Sequence, residues 1–566
     1  MTTAQPDFSE AGPDSLFLEP PGNGGSQSGR KKGGWITFPF IMGSSAMLGL
    51  AVNGSFANLI VYLIQQFNVD RIAAAQILNV FNGSTNITPV VGAIISDSFL
   101  GAFMVILISS LISFMGLIPL TLTSILPSLR PLPCASTSNQ CETPSALQYT
   151  VLYISLALVG VGIGGTRFTT VAFGANQFAD EASRDVFVNW FFFSLYTANL
   201  LASTVVVYVQ DNVGWAWGYG VCLVANIISV FTFIIGKWHY QDVRPQGSPF
   251  TGIARVLAAA IRKRRVALSP NFDDYFYQDD SEIAKKEPCL LTPKFKFLNK
   301  AALVEEGDTH SGGSIAKPWR LCTTQQVEDL KTLIKILPIW SSNIFLGLPI
   351  GVQGSLAILE ALTMDRRLGS HFSIPASSFL VFSFLAGAVF IALLDRVVYP
   401  FLHKLLGLSP TLFQRIGAGH LITIMGMVAA ALVEARRLSI AHSHGTMEQF
   451  NATVPMSALW LVAPFALVGA GEACQLPAQV SFYFEEFPAP LKGSSAAMMA
   501  VIIAIGFYLS AAVVKIVKIS TSWLPNDINH GRMDNVFWML AVLGAFNFCY
   551  FVICAKLYER KPSIKH

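Results

Sequence analysis

Apolar runs of 18 residues or more recur from one end of this chain to the other. Each is long enough to cross the hydrocarbon of a bilayer as a helix. Spans are read at about 36–66, 72–96, 101–126, 148–170, 186–209 and 215–237, then at about 328–354, 374–394, 411–436, 455–480, 493–517 and 535–557. Only 13% of the 566 residues are Asp, Glu, Lys or Arg, about half of the roughly 25% that a soluble domain carries. So little polar cover over so long a chain does not suit water. The reading is an all-α polytopic membrane protein with 12 transmembrane helices.

The spans divide six and six around a charged stretch that carries Arg262-Lys263-Arg264-Arg265. This is the layout of the major facilitator fold, two six-helix bundles with a site near the bilayer midplane. The expected organisation is a disordered cytoplasmic N-terminus (1–33), an N-terminal bundle (34–237), a cytoplasmic linker with a basic helix (238–327), a C-terminal bundle (328–557) and a cytoplasmic tail (558–566). The N-terminal segment is rich in Gly, Pro and Ser and lacks an apolar signal. Arg30, Lys31 and Lys32, the linker, and Lys556, Arg560 and Lys561 fall on one side of an even number of spans, which makes that side cytoplasmic. The basic linker run suits anionic lipid headgroups, and a net charge of +4 with basic residues beside spans gives no reason to expect nucleic acid.

Cys134 and Cys141 then lie in an outward loop, on the oxidising side, where a short disulfide could form. Asn451-Ala-Thr is an outward sequon that could accept glycan or stay unused. There is no phosphate-binding loop, metal cluster or nucleophile triad, so no catalytic residue, metal or cofactor is expected.

Several segments, taken in order, resemble the plant branch of the proton-dependent oligopeptide and nitrate transporter family. They are Gly34-Trp35-Ile36-Thr37-Phe38-Pro39-Phe40, Gly92-Ala93-Ile94-Ile95-Ser96-Asp97 with Phe99-Leu100-Gly101, Ala172-Phe173-Gly174-Ala175-Asn176-Gln177-Phe178, Asn189-Trp190-Phe191-Phe192, Lys335-Ile336-Leu337-Pro338-Ile339-Trp340 and Met364-Asp365-Arg366-Arg367-Leu368-Gly369. The subgroup most similar is that of the nitrate excretion transporters. The resemblance implies transport by alternating access, with a small molecule or inorganic anion as substrate and the plasma membrane, or alternatively the vacuolar membrane, as location.

The resemblance also implies roles for two intramembrane charges. Arg167 follows the Gly-rich half-span Gly160–Gly165 where the family keeps a lysine, and Glu472 follows Gly469-Ala470-Gly471 where it keeps a glutamate. In the family these positions form an inner salt bridge that breaks and reforms. A static structural pair is the plainer alternative. A buried charge is costly without a partner, and Arg cannot shed its proton, so Arg167 could serve an anion as well as Glu472. In span one the chain departs from the pattern: Ser45, Leu48 and Gly49 stand where the family has Glu-x-x-Glu-Arg, its proton-coupling motif.

Asn79, Asn82 and Asn86 are spaced to share one helix face. With Tyr196 from the first half, and Gln353 and Tyr508 from the second, Asn82 is expected to line a substrate cavity or gate. The alternative is packing glue between helices, about 0.6 kcal/mol for each contact. A polar wall with one Arg suits an anion, nitrate first and chloride second, carried outward with proton coupling in doubt. Two other readings stand beside it: a carrier of glucosides, alkaloids or hormones, and a transporter-shaped sensor signalling through the linker. Glu434, Arg436 and Arg437 are read as ending span nine at the outer face, and Glu360 as marking the outer mouth.

Overall fold

The structure is a computed structural model that describes residues 32–558, apart from 133–141, 168, 179, 242–248, 272–273, 278–290, 311–314, 371, 408–409, 446–451, 489–494 and 526. Cys134, Cys141 and Asn451 lie outside the described residues, as do 1–31 and 559–566.

The chain forms twelve transmembrane helices in the six-plus-six arrangement. Eleven helices among the described residues are long and apolar enough to cross a membrane. The remaining one, span two (Arg71–Ile95), has the length, at 25 residues, but its asparagine face lowers its mean hydropathy. Span one is Phe38–Phe56 followed, after a break at Asn58, by Leu59–Gln66. Spans three to six are built on Ala102–Ile125, Ala146–Thr166, Glu181–Leu201 continued to Asn212, and Trp215–Ile235. Span seven joins Thr324–Asn343 to Gly347–Leu362, and span eight runs over Ala376–Leu405. Spans nine to twelve are Leu412–Ser443, Val462–Glu486, Ser495–Ser520 and Met533–Leu557.

Local chemistry sets several of these starts. Pro39 occupies the first turn of span one, where its missing N–H costs nothing. Ser145 with Gln148, Thr323 with Gln326, and Thr411 with Gln414 close reciprocal capping boxes at the heads of spans four, seven and nine. Outside the membrane, Met364–Asp365 pairs with Val454–Ser457 as two short parallel strands. These tie the loop after span seven to the loop before span ten.

Glycines set the closest helix approaches, as expected where lipid gives no hydrophobic drive to pack. A Cβ on Gly92 would fall 2.8 Å from the Gly164 carbonyl oxygen, and one on Gly162 would fall 2.7 Å from the Ser109 carbonyl oxygen, so spans two and three both press on the glycine run of span four. In the second half, Gly469 meets Ser383 and Gly471 meets Gly419, which brings span ten against spans eight and nine. Spans seven and eleven cross at Gly347 and Gly506, where a Cβ on Gly506 would collide with the Gly347 backbone. Both sides of that contact are backbone, so no flexible side chain can give way. Gly506→Val is therefore expected to abolish the monodisperse peak of the solubilised protein in fluorescence-detected size exclusion. A wild-type profile would contradict the crossing.

Between spans six and seven, the helix Pro249–Arg262 packs Val256, Ala259 and Ala260 on Leu298, Ala301, Cys322 and Val327. Burial pushes the Cys322 thiol up to about 11. The basic run at 262–265 is not uniformly solvated, as its sequence suggests. Lys263 is buried, and its Nζ donates to Asp308 at 2.7 Å and to the Leu303 carbonyl. Arg262, Arg264 and Arg265 remain exposed.

Candidate functional site

A cavity of about 360 Å³ lies between the two halves. Span one contributes Ser45, Leu48, Gly49 and Asn53, span two Asn79, Asn82 and Asn86, and span five Asn199 and Ser203. Arg167 and Thr170 come from the inner end of span four, and Ser355 from span seven. Apolar faces of Phe56, Leu78, Phe384 and Phe507 complete the wall.

Arg167 is the only charged residue among the described residues lining this space. Its Nη1 donates to Asn86 Oδ1 at 2.9 Å, and the Asn86 amide nitrogen donates to the Asn82 carbonyl at 2.8 Å. One turn of span two thus orients an amide that in turn holds the guanidinium toward the cavity. The three places where the family motif would set charges in span one are occupied by a hydroxyl, an alkyl chain and a glycine. All three line the cavity.

The seam between the halves is closed toward the outer ends. Ser377 Oγ donates to Asn58 Oδ1 at 2.7 Å, and Ser378 Oγ donates to the Ser203 carbonyl at 2.8 Å. Deeper in, Asn79 Nδ2 donates to Ser355 Oγ at 3.1 Å, and the Ser84 and Tyr508 hydroxyls meet at 2.9 Å. Tyr208 stacks on Phe372 across the same rim. Among the described hydrogen bonds none joins the inner ends of spans four and ten.

The expected site residues separate accordingly. Arg167 and Asn82 lie in the cavity wall. Tyr508 is not among the lining residues: its ring packs on Gly83 and its hydroxyl belongs to the seam. Gln353 is buried in span seven, off the cavity wall, and neither amide atom has a partner among the described residues. Tyr196 belongs to span five, but its side chain is outside the described residues. Glu472 stands beside Gly471, which packs on span nine, and does not line the cavity. The ion pairs among the described residues do not include Arg167 with Glu472. The two residues sit on opposite halves.

Neither second-half residue expected in the wall, Gln353 or Tyr508, lines it, and other polar side chains of that half are also turned to packing. Asn343 donates to the Tyr483 hydroxyl, and Gln475 is bonded to His420, all buried within the C-terminal half. These amides bind helices to one another. Asn199 and Ser203 of span five are cavity residues that the sequence pattern did not single out, although polar side chains four apart in a span were the available signal.

The model of the POT family, PTR2, matches residues 103–530. The chain belongs to the POT family. Two relatives from Arabidopsis thaliana, Protein NRT1/ PTR FAMILY 2.6 and Protein NRT1/ PTR FAMILY 2.7, are each 44% identical to this POT-family chain, over 94% of it and 94% of their own length. Among solved structures, an auto inhibited POT family peptide transporter superposes with a TM-score of 0.69 at 19% identity, covering 94% of this chain and 99% of its own. The POT family transporter PepTSo gives 0.68 at 17% identity, covering 92% and 98%. At that identity the two structures establish the fold alone. The POT family is one of membrane transporters.

Proposed function

We propose that this POT-family transporter is a secondary carrier of a small monovalent anion, nitrate first and chloride second, working mainly as an exporter. The observation that supports this most is the charge inventory of the cavity, in which one guanidinium faces asparagines and hydroxyls and no carboxylate is present among the described lining residues. A zwitterion such as a peptide needs charges of both signs, and this wall offers one sign.

In the proposed cycle the bundles 34–237 and 328–557 rock about the cavity, with 238–327 as their cytoplasmic connection. Arg167 faces the anion while the inner mouth is open. As the inner ends close it meets Glu472, and that pair stabilises the outward-open state. A ligand shifts such an equilibrium only through its different affinity for the two states, and competition with Glu472 for one guanidinium supplies that difference. With Ser45, Leu48 and Gly49 in span one, the cavity lacks the family's proton-coupling carboxylates, which favours facilitated efflux over motif-driven symport.

The volume of the cavity and its apolar faces favour a second reading, a larger organic solute such as a glucoside. Efflux and uptake of labelled nitrate, chloride and a glucoside panel in oocytes, across external pH, separate the two. Nitrate or chloride flux without glucoside flux is the expected result, and glucoside flux alone would replace the anion reading. The plasma membrane is the proposed location, with the vacuolar membrane as alternative, to be decided by a fluorescent fusion in plant cells.

A further inference from the structure

Three ionisable side chains are buried together near the outer end of the C-terminal half. Arg437 and Glu434, three residues apart on span nine, are both 0% exposed, and Glu360 of span seven is 1% exposed. A guanidinium has five N–H groups, and those of Arg437 are all engaged. Its Nε and Nη2 donate to the two Glu434 oxygens at 2.6 and 2.7 Å. Its Nη1 donates to Thr363 Oγ1 at 3.1 Å and to Asn529 Oδ1 at 2.6 Å, and Nη2 also reaches the Ile528 carbonyl at 3.4 Å.

Arg437 thus has no N–H left for Glu360. The Glu360 carboxyl faces Glu434, and its Oε1 has no hydrogen-bond partner among the described residues. The other charges nearby do not change this. Asp527, from the segment between spans eleven and twelve, faces Arg437 and is already bonded by the Asn529 N–H and by His530. Arg71, at the outer end of span two, faces Asp527 and Arg437.

Two ionised carboxylates side by side in a dry site, one of them without a donor, repel each other and lose their hydration with nothing in return. A proton shared between them removes both penalties, because the O–H of one carboxyl donates to an oxygen of the other. We propose that Glu360 and Glu434 form a proton-binding site that holds one exchangeable proton while the outer mouth is shut. Glu360 lies five residues beyond Ser355, which closes the seam on Asn79. Opening the mouth moves this end of span seven, admits water from the outside and lets the proton pass to it. The chain would then carry, on its second half, a titratable pair that span one lacks.

The test uses the full chain in lipid nanodiscs, with the infrared carbonyl stretch of protonated carboxyls followed across pH. The wild type is expected to show a band that disappears as pH rises, absent in Glu360→Gln and retained in Glu472→Gln. A Glu360→Gln spectrum identical to that of the wild type overturns the proposal. If Glu360→Gln fails to assemble, Glu360→Asp replaces it; a shifted band supports the site and an unmoved one refutes it. Efflux of labelled nitrate from oocytes is measured in parallel, and its dependence on external pH is expected to vanish in Glu360→Gln. The infrared measurement decides the proton site whether or not nitrate moves, so failure of the anion reading is recognised separately.

Discussion

Replacing Arg167 by Gln is expected to lower nitrate efflux about tenfold to a hundredfold at unchanged surface abundance. The range follows from the ~1.5–3 kcal/mol that a hydrogen bond to a charged group typically contributes. The substitution keeps a polar side chain of moderate length and removes the charge that faces the cavity, while the Asn86 amide that orients it stays in place. Arg167→Lys should fall between the two. It restores the charge but not the planar fork that can bond Asn86 and an anion together. The measurement is labelled nitrate efflux from oocytes, normalised to surface protein. Wild-type flux in Arg167→Gln would remove the guanidinium from the transport path. A neutral glucoside carried at the wild-type rate by the same variant, with nitrate never carried, would point to the organic solute instead.

Arg437→Met is expected to cost about 3–5 kcal/mol, the range found when one member of a buried ion pair is removed. Met approximates the length of the side chain, so the loss is chiefly electrostatic. Glu434 would lose both of its N–H donors, and the Thr363 hydroxyl and the Asn529 amide oxygen would lose a third and a fourth. These groups lie on span nine, at the end of span seven and between spans eleven and twelve, so the outer half of the C-terminal bundle should loosen as a unit. A thermal-shift assay on purified protein should show a large fall in the unfolding midpoint, or loss of folded protein. The double variant Glu434→Leu with Arg437→Met should recover much of that loss, because it removes both charges together. A midpoint close to that of the wild type for Arg437→Met alone would show that the pair is not structurally required.

Much of the architecture was legible because the length of an apolar run is a direct physical requirement of the bilayer. Span two shows the limit of that signal. Its asparagines lower its hydropathy, yet their spacing on one face marks it as a helix that meets a cavity, and Asn79, Asn82 and Asn86 do line one. Arg167 stood out because a lone cation in a span demands a reason. The glutamines of the second half could not be sorted in the same way. An amide that glues two helices and an amide that lines a cavity have the same identity and similar spacing, and only burial separates Gln475 on His420 from Asn82 in the wall.

Two charged groups were misread for a common reason, that sequence position does not report depth. Span nine continues to Ser443, beyond the end read from the apolar run, so Glu434 and Arg437 lie inside the bundle and not at its rim. Lys263 looks like one member of a solvated basic run, but its partner Asp308 lies 45 residues further on. Neither pairing is visible until the chain is folded. The i,i+3 spacing of Glu434 and Arg437 was the available hint, and it is equally common on exposed helices.

The bonding across the seam bears on how the proposed carrier would turn over. Among the described residues the four hydrogen bonds between the halves, at Asn58, Ser203, Asn79 and Tyr508, all join neutral groups. The charged attractions there, Asp211 toward Arg366 and Arg71 toward Asp527, act without forming an ion pair among the described residues. At about 1 kcal/mol net for each hydrogen bond, these four contribute roughly 4 kcal/mol, beside the ~5.5 kcal/mol needed to swing a two-state balance from 1:99 to 99:1. On the proposed efflux reading, a seam bonded by neutral groups leaves the solute's different affinity for the two states able to shift the balance between them.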